Sequence, residues 1–269
     1  MLVNGVLSDS INAADRGLQY GDGVFRTLRV VQGKPGQWPR HYLKLQQDCA
    51  ALDLVCPDAD LLFEELQRLI GPHSDGVAKI IITRGYGARG YAPPANPVPT
   101  RILSLSALPD YPAHFCSEGI RLHLCDLRLA HQPRLAGIKH LNRLENVLAA
   151  AEWDAAEFAE GLLLDVAGNV VEGTRSNLFL VRDGALLTPD LALCGVSGVQ
   201  RERVLEQAVK RKVACAAGRF SLAELLAADE VFLVNSVIGV WPVRDLQGRI
   251  WEQHPFTRQV QEWLNDAHD

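Results

Sequence analysis

A chain of 269 residues with 48% hydrophobic and 22% charged side chains can bury one large core or two modest ones, which excludes a disordered chain. A formal net charge of −5 without a basic run offers nothing to nucleic acid, and apolar segments such as Val77–Ile82 are far too short to span a bilayer. The start, Met1-Leu2-Val3-Asn4-Gly5, lacks a basic stretch followed by an apolar one, so no signal peptide is expected. Cys49, Cys56, Cys116, Cys125, Cys194 and Cys215 contain no C-x-x-C pair and read as reduced thiols of a cytoplasmic protein. His131 and His140 are too isolated to argue for a metal.

In chain order, Val3–Leu7 and Val24–Val31 are expected as short strands, the second turning at Gln32-Gly33-Lys34. Between them lies the glycine-punctuated loop Asp15-Arg16-Gly17 to Gly21-Asp22-Gly23. Leu45, Cys49 and Leu52 recur at helical spacing within His41–Leu54, and Leu61–Ile70 reads as a second helix. Val77–Thr83 and Arg101–Leu108 are expected strands flanking Gly85-Tyr86-Gly87-Ala88-Arg89-Gly90. That segment matches G-x-G-x-x-G after a strand, but a dinucleotide site also needs a helix to open there. Pro93, Pro94, Pro97 and Pro99 forbid one, which excludes a nicotinamide-dependent oxidoreductase of that type.

The proline-broken stretch Leu108–His114 is the expected connection between two domains. Beyond it Ile120, Leu122 and Leu124 alternate as in a half-buried strand, and the alternation slips at Cys125-Asp126, as across a bulge. Within Asn142–Phe158, Leu144, Val147, Leu148 and Ala151 share one face and predict a helix packed on a core. Hairpins are expected around Ala167-Gly168-Asn169 and Asp183-Gly184. A helix over Val199–Val213, a capping box at Ser221-Leu222-Ala223-Glu224, a strand at Val231–Val234 and a last helix at Phe256–Leu264 complete the pattern.

Four features carry chemistry. Lys139, in Ala136-Gly137-Ile138-Lys139-His140-Leu141, is an amine that a partly apolar site can turn into a Schiff-base nucleophile. Glu172, within Val170–Phe179, is an acid between strands. Ser197-Gly198-Val199-Gln200-Arg201 puts a glycine at a helix N-terminus, where backbone N–H groups and the dipole suit a phosphate. Asn235-Ser236 brings a hydroxyl to a strand end. An amine for an imine, an acid to keep a pyridine nitrogen protonated and an anion cradle are together what pyridoxal phosphate requires of a protein.

The order and wording of these segments resemble the fold-type IV pyridoxal-phosphate enzymes, which comprise branched-chain and D-amino-acid aminotransferases and aminodeoxychorismate lyase. The resemblance runs from Asp15–Phe25 and His41–Leu45 through Lys139, Glu172–Phe179 and Gly198–Arg201 to Asn235–Val243. Arg84–Tyr91 and Ala136–Glu145 look most like the lyase branch. The resemblance implies an α/β (α+β) fold with a smaller N-terminal α/β domain over 1–108, a linker over 109–115 and a larger C-terminal pseudobarrel domain over 116–269. It implies a homodimer with the cofactor between domains. It makes Lys139 the Schiff-base lysine and Glu172 the partner of the pyridine nitrogen, with Val199, Gln200, Asn235 and Ser236 around the phosphate. The family usually has arginine in its His-x-x-Arg-Leu segment, where this chain has Lys44, a point charge without the bidentate fork.

The activity implied is cleavage of 4-amino-4-deoxychorismate to 4-aminobenzoate and pyruvate, a step toward folate. The alternative is a branched-chain or D-amino-acid aminotransferase on the same cofactor residues. The lyase substrate carries two carboxylates, for which Arg89 and then Arg29 are the expected cationic ligands.

Overall fold

In the computed structural model, which describes residues 1–87 and 89–266, the first turn is made by Asn4 and Gly5, whose φ angles of 49° and 79° join β1 (Leu2–Val3) to β2 (Val6–Leu7). An Asn-Gly pair takes this left-handed geometry at little cost, so the expected single strand Val3–Leu7 is a small hairpin. Ala88, inside the glycine-rich segment, and residues 267–269 lie outside the described residues. Two units form, one from Met1–Pro109 with Ile138–Asn142, the other from Asp110–Gly137 with Arg143–Asp269.

In the first unit, α1 (Arg16–Tyr20) is capped by the Asp15 side chain and stopped by Gly21 at φ 66°. β3 (Gly23–Val31) turns through Gln32 and Gly33 into β4 (Lys34–Pro35). The helices α2 (Trp38–Ala51) and α3 (Ala59–Leu69) follow, then β5 (Gly76–Thr83) and β6 (Thr100–Ser106). The strands form one antiparallel sheet ordered β2-β1-β6-β5-β3-β4. Alternation puts Val24, Leu28 and Val30 of β3 and Ala78, Ile80 and Ile82 of β5 on one face, against Leu45, Cys49, Leu62 and Leu66 of the helices. Each large side chain so buried contributes about 2 kcal/mol.

Phe25, Thr27 and Arg29 fall on the opposite face of β3, the first two half-buried and Arg29 exposed. The Ile138–Asn142 segment pairs with the same strand. Phe25 N donates to the Lys139 carbonyl and Leu141 N to the Gly23 carbonyl, both at 3.0 Å. This bonding gathers residues 138–142 into the first unit, although they follow the expected linker by more than twenty positions.

The second unit contains α4 (His114–Ser117), β7 (Ile120–Leu129), α5 (Leu144–Ala150), β8 (Glu160–Asp165), β9 (Val170–Gly173), β10 (Asn177–Arg182) and β11 (Ala185–Pro189). It continues with α6 (Val199–Lys210), β12 (Cys215–Gly218), α7 (Leu222–Leu226), β13 (Glu230–Asn235), β14 (Gly239–Leu246), β15 (Arg249–Ile250) and α8 (Pro255–Asp266). Its sheet runs β12-β11-β10-β13-β14-β7-β8-β9, with β15 on β14. The pairs β11/β12, β14/β7 and β7/β8 are parallel and the rest antiparallel, a mixed α/β architecture. β8, β9, β10 and β13 are buried nearly throughout, as strands covered on both faces are. The slip at Cys125-Asp126 is a real irregularity: the β7/β8 register shifts between Leu124 and Arg128.

The helix expected over Asn142–Phe158 is corrected. α5 ends at Ala150, and Glu152 just beyond it turns its carboxylate to the N–H groups of Asp126 and Leu127 at the β7 irregularity. Small, fully buried Ala149 brings the helix onto Cys125, Leu129 and Leu163. Leu144, Val147 and Leu148, expected to face that core, stand 70%, 61% and 55% exposed on the outer side. Among the described residues no helix is long and apolar enough to cross a membrane, and no cluster of His, Cys, Asp and Glu could hold a metal.

Candidate active site

Lys139 lies in a loop, as expected, and is held there by its backbone. Its N–H donates to Asp48 on α2 at 3.2 Å, and its carbonyl accepts Phe25 N. The ammonium nitrogen lies 4.7 Å from the centroid of the Phe25 ring, a cation–π distance. Asp48 is buried and ion-paired with the equally buried Arg26 of β3. Burial pushes the Asp48 carboxyl up from its ordinary value, opposed by Arg26, the Lys139 N–H and Lys44. His41, on the same helix, is driven down to about 3 by burial and then by the charges of Arg26 and Lys139. It is a neutral imidazole at physiological pH. Lys44, half-buried on α2, adds a cation, and its carbonyl accepts from Arg26 at 3.2 Å.

In the second unit Glu172 on β9 is buried, and one of its carboxylate oxygens accepts the Val196 N–H at 2.8 Å. Asn177, at the start of β10, ties the neighbouring turn together. Its amide nitrogen donates to the Val196 carbonyl at 2.7 Å and lies 3.5 Å from the same Glu172 oxygen, while its oxygen accepts Gly198 N at 3.1 Å. The turn therefore delivers α6 to the Glu172 carboxylate. Gly198 caps α6 without a side-chain acceptor, and the N–H groups of Val199 and Gln200 precede the first helical bond, Glu202 N to Gly198 O at 3.2 Å. A Cβ on Gly198 would lie 2.3 Å from the Asn177 oxygen, so a larger residue there would displace the Asn177 amide. A buried carboxylate beside an uncapped twelve-residue helix start is a donor and acceptor set that fits a protonated ring nitrogen and a phosphate.

Ser236 sits half-buried in the turn between β13 and β14. The Asn235 side chain, expected to help hold the cofactor, is spent on that turn. Its oxygen accepts Val237 N at 2.8 Å and Ile238 N at 2.9 Å, and its nitrogen donates to the Arg175 carbonyl at 3.1 Å. Asn235 shapes the turn that presents Ser236. Arg89 and Arg29 are both exposed, Arg89 in the glycine-rich loop and Arg29 on β3. Sequence reasoning missed Asp48, Arg26 and Asn177. Asn177 alone had a local signal, an amide five residues beyond Glu172.

The amino-transferase class IV family model matches residues 23–246. An aminodeoxychorismate lyase of Vibrio harveyi is 38% identical over 242 residues, covering 90% of this chain and 89% of that protein. A putative branched-chain-amino-acid aminotransferase of Methanocaldococcus jannaschii is 30% identical over 247 residues, covering 89% and 84%. The crystal structure of 4-amino-4-deoxychorismate lyase from Pseudomonas aeruginosa superposes with a TM-score of 0.94 at 50% identity, covering 100% of this chain and 99% of that one.

Proposed function

The chain belongs to the amino-transferase class IV family, and we propose that within it this enzyme is an aminodeoxychorismate lyase dependent on pyridoxal phosphate. The observation that carries this reading is the likeness to a solved lyase along the whole chain. The reaction converts 4-amino-4-deoxychorismate to 4-aminobenzoate and pyruvate.

Pyridoxal phosphate, once bound, supplies a protonated pyridine ring that accepts the electrons released when the substrate loses a proton. Lys139 is the covalent partner of the cofactor and then the general base: its Nζ takes the proton from ring carbon C4. Loss of enolpyruvate from C3 leaves an aromatic ring, which makes the cleavage downhill. Glu172 holds the proton on the pyridine nitrogen, its orientation fixed by the Val196 N–H. The N–H groups of Val199 and Gln200, the Ser236 hydroxyl and the Lys44 ammonium would hold the cofactor's phosphate. Arg89, with Arg29, binds the substrate carboxylates.

The outward stripe of Leu144, Val147 and Leu148 supports a homodimer, since three large apolar side chains on one helix face are costly to leave in water. Six free thiols suit the reducing cytoplasm.

The test is aminobenzoate production from enzymatically made aminodeoxychorismate, with Lys139→Ala as control. The wild-type protein should show a visible imine absorbance that the variant lacks. Turnover of several amino acid and keto acid pairs with no aminobenzoate formed would make it an aminotransferase instead.

A further inference from the structure

The glycine-rich loop that fails as a dinucleotide motif is held in an unusual way. Four prolines deny it regular structure, yet the carbonyls of Gly90, Tyr91 and Ala92 all turn onto a single guanidinium. Arg16 Nη1 donates to Gly90 O at 2.9 Å and Ala92 O at 3.4 Å, and Nη2 to Tyr91 O at 2.8 Å. Arg16 is only 4% exposed. Its Nε is fixed at 2.8 Å by Asp22, whose same oxygen takes Arg84 Nε, also at 2.8 Å. Arg84 in turn donates to the carbonyls of Asp53 at 2.7 Å and Leu52 at 2.8 Å, just past the end of α2. Burial pushes Asp22 up, but Arg84 and Arg16 outweigh it and hold the carboxyl below its ordinary value, so it stays ionised.

With its carbonyls turned in, the loop turns its side chains out. Tyr91 is 85% exposed, its ring in a T-shaped contact with Tyr20 at 5.4 Å between centroids, and Arg89 is exposed one residue before the anchored stretch. A loop whose main chain is pinned by a buried charge and whose cation and aromatic ring face solvent is organised to present them to a ligand.

We propose that Arg16 is a positioning residue for the substrate: through the main chain of Gly90–Ala92 it fixes the loop that offers Arg89 and Tyr91 to a ring-bearing dicarboxylate. This rests on the lyase reading above and on Arg89 as the carboxylate ligand. The anchor acts on where the ligand is held, so its loss raises KM and leaves the proton transfer at Lys139 largely intact.

Arg16→Lys keeps a charge for Asp22 but cannot reach three carbonyls. In the holoenzyme it is expected to raise KM for aminodeoxychorismate at least fivefold, change kcat less than twofold and leave the visible cofactor band unaltered. Trypsin should cut the Arg89–Gly90 bond of the folded variant at least tenfold faster than in wild type, with other sites unaffected. In Arg16→Lys combined with Arg89→Ala, KM should match that of Arg89→Ala alone, because Arg16 acts through the loop. An unchanged KM or unchanged cleavage at Arg89 overturns the proposal, as does a KM effect that adds in full to that of Arg89→Ala. If Arg16→Lys fails to fold, Asp22→Asn loosens the same anchor and must move KM and cleavage in the same directions. A wild-type protein that makes no aminobenzoate would refute the lyase reading itself, and the tryptic result would still report whether Arg16 holds the loop.

Discussion

The same carboxylate oxygen of Asp48 receives the backbone N–H of Lys139, at 3.2 Å, and the guanidinium of Arg26. One buried acid thus pins the main chain of Lys139 to α2 and β3 together. Asp48→Ala removes one member of a buried pair and should cost about 3–5 kcal/mol, read from urea unfolding. Asp48→Asn keeps an acceptor for the Lys139 N–H and should lose less. Equal losses from both would mean that charge, not the hydrogen bond, holds the segment.

His41 sets a pH dependence with a definite sign. Its folded pKa, about 3, lies below its unfolded value, so from about pH 6.5 downward the unfolded chain takes up a proton that the native imidazole refuses. Stability should therefore fall as pH drops through that window, by on the order of 1 kcal/mol per pH unit. His41→Gln should flatten this slope in unfolding measured between pH 6.5 and 4.

Glu172→Gln keeps an oxygen for the Val196 N–H but cannot sustain a proton on the pyridine nitrogen. Turnover should fall by about two orders of magnitude or more, on the scale of a lost acid–base group, while the melting temperature barely moves. A large drop in stability with modest loss of turnover would assign the carboxylate to the fold instead.

Gly198→Ala drives a Cβ into the Asn177 amide and disturbs the turn that leads α6 to Glu172. Cofactor affinity, followed by absorbance titration, should weaken about tenfold, which corresponds to roughly 1.4 kcal/mol. Because the clash acts through Asn177, combining it with Asn177→Ala should weaken binding no further than Asn177→Ala alone.

Val147→Glu places a charge in the middle of the exposed α5 stripe, where a solvated carboxylate costs the monomer nothing. Sedimentation should show the proposed dimer giving way to monomer with an unchanged far-ultraviolet spectrum. A dimer that survives the substitution would place its interface elsewhere.

What could be read from sequence was local. The Asp183-Gly184 turn, the Ser221 capping box and the irregularity at Cys125-Asp126 each depend on residues a few positions apart, and each forms. The Asn4-Gly5 turn carried an equally local signal that the strand reading passed over. α5 failed because periodicity finds a helix's apolar face but not what covers it; Ala149 faces the sheet and the leucines face outward. Lys139 and Glu172 drew notice through their chemistry, but their supports come from far along the chain. Asp48 lies 91 positions before Lys139, and Arg16 lies 74 before the Gly90 carbonyl it holds. No spacing rule in a single sequence encodes such pairs.

Arg16 reads the loop through carbonyl groups, which every amino acid carries. The path of Gly90–Ala92 is thereby uncoupled from the identity of the side chains it displays. Residues 89 and 91 can be exchanged for others, by drift or by design, without rewriting the scaffold beneath them. If Arg89 binds substrate as proposed, the loop is a place where the accepted acid can be retuned.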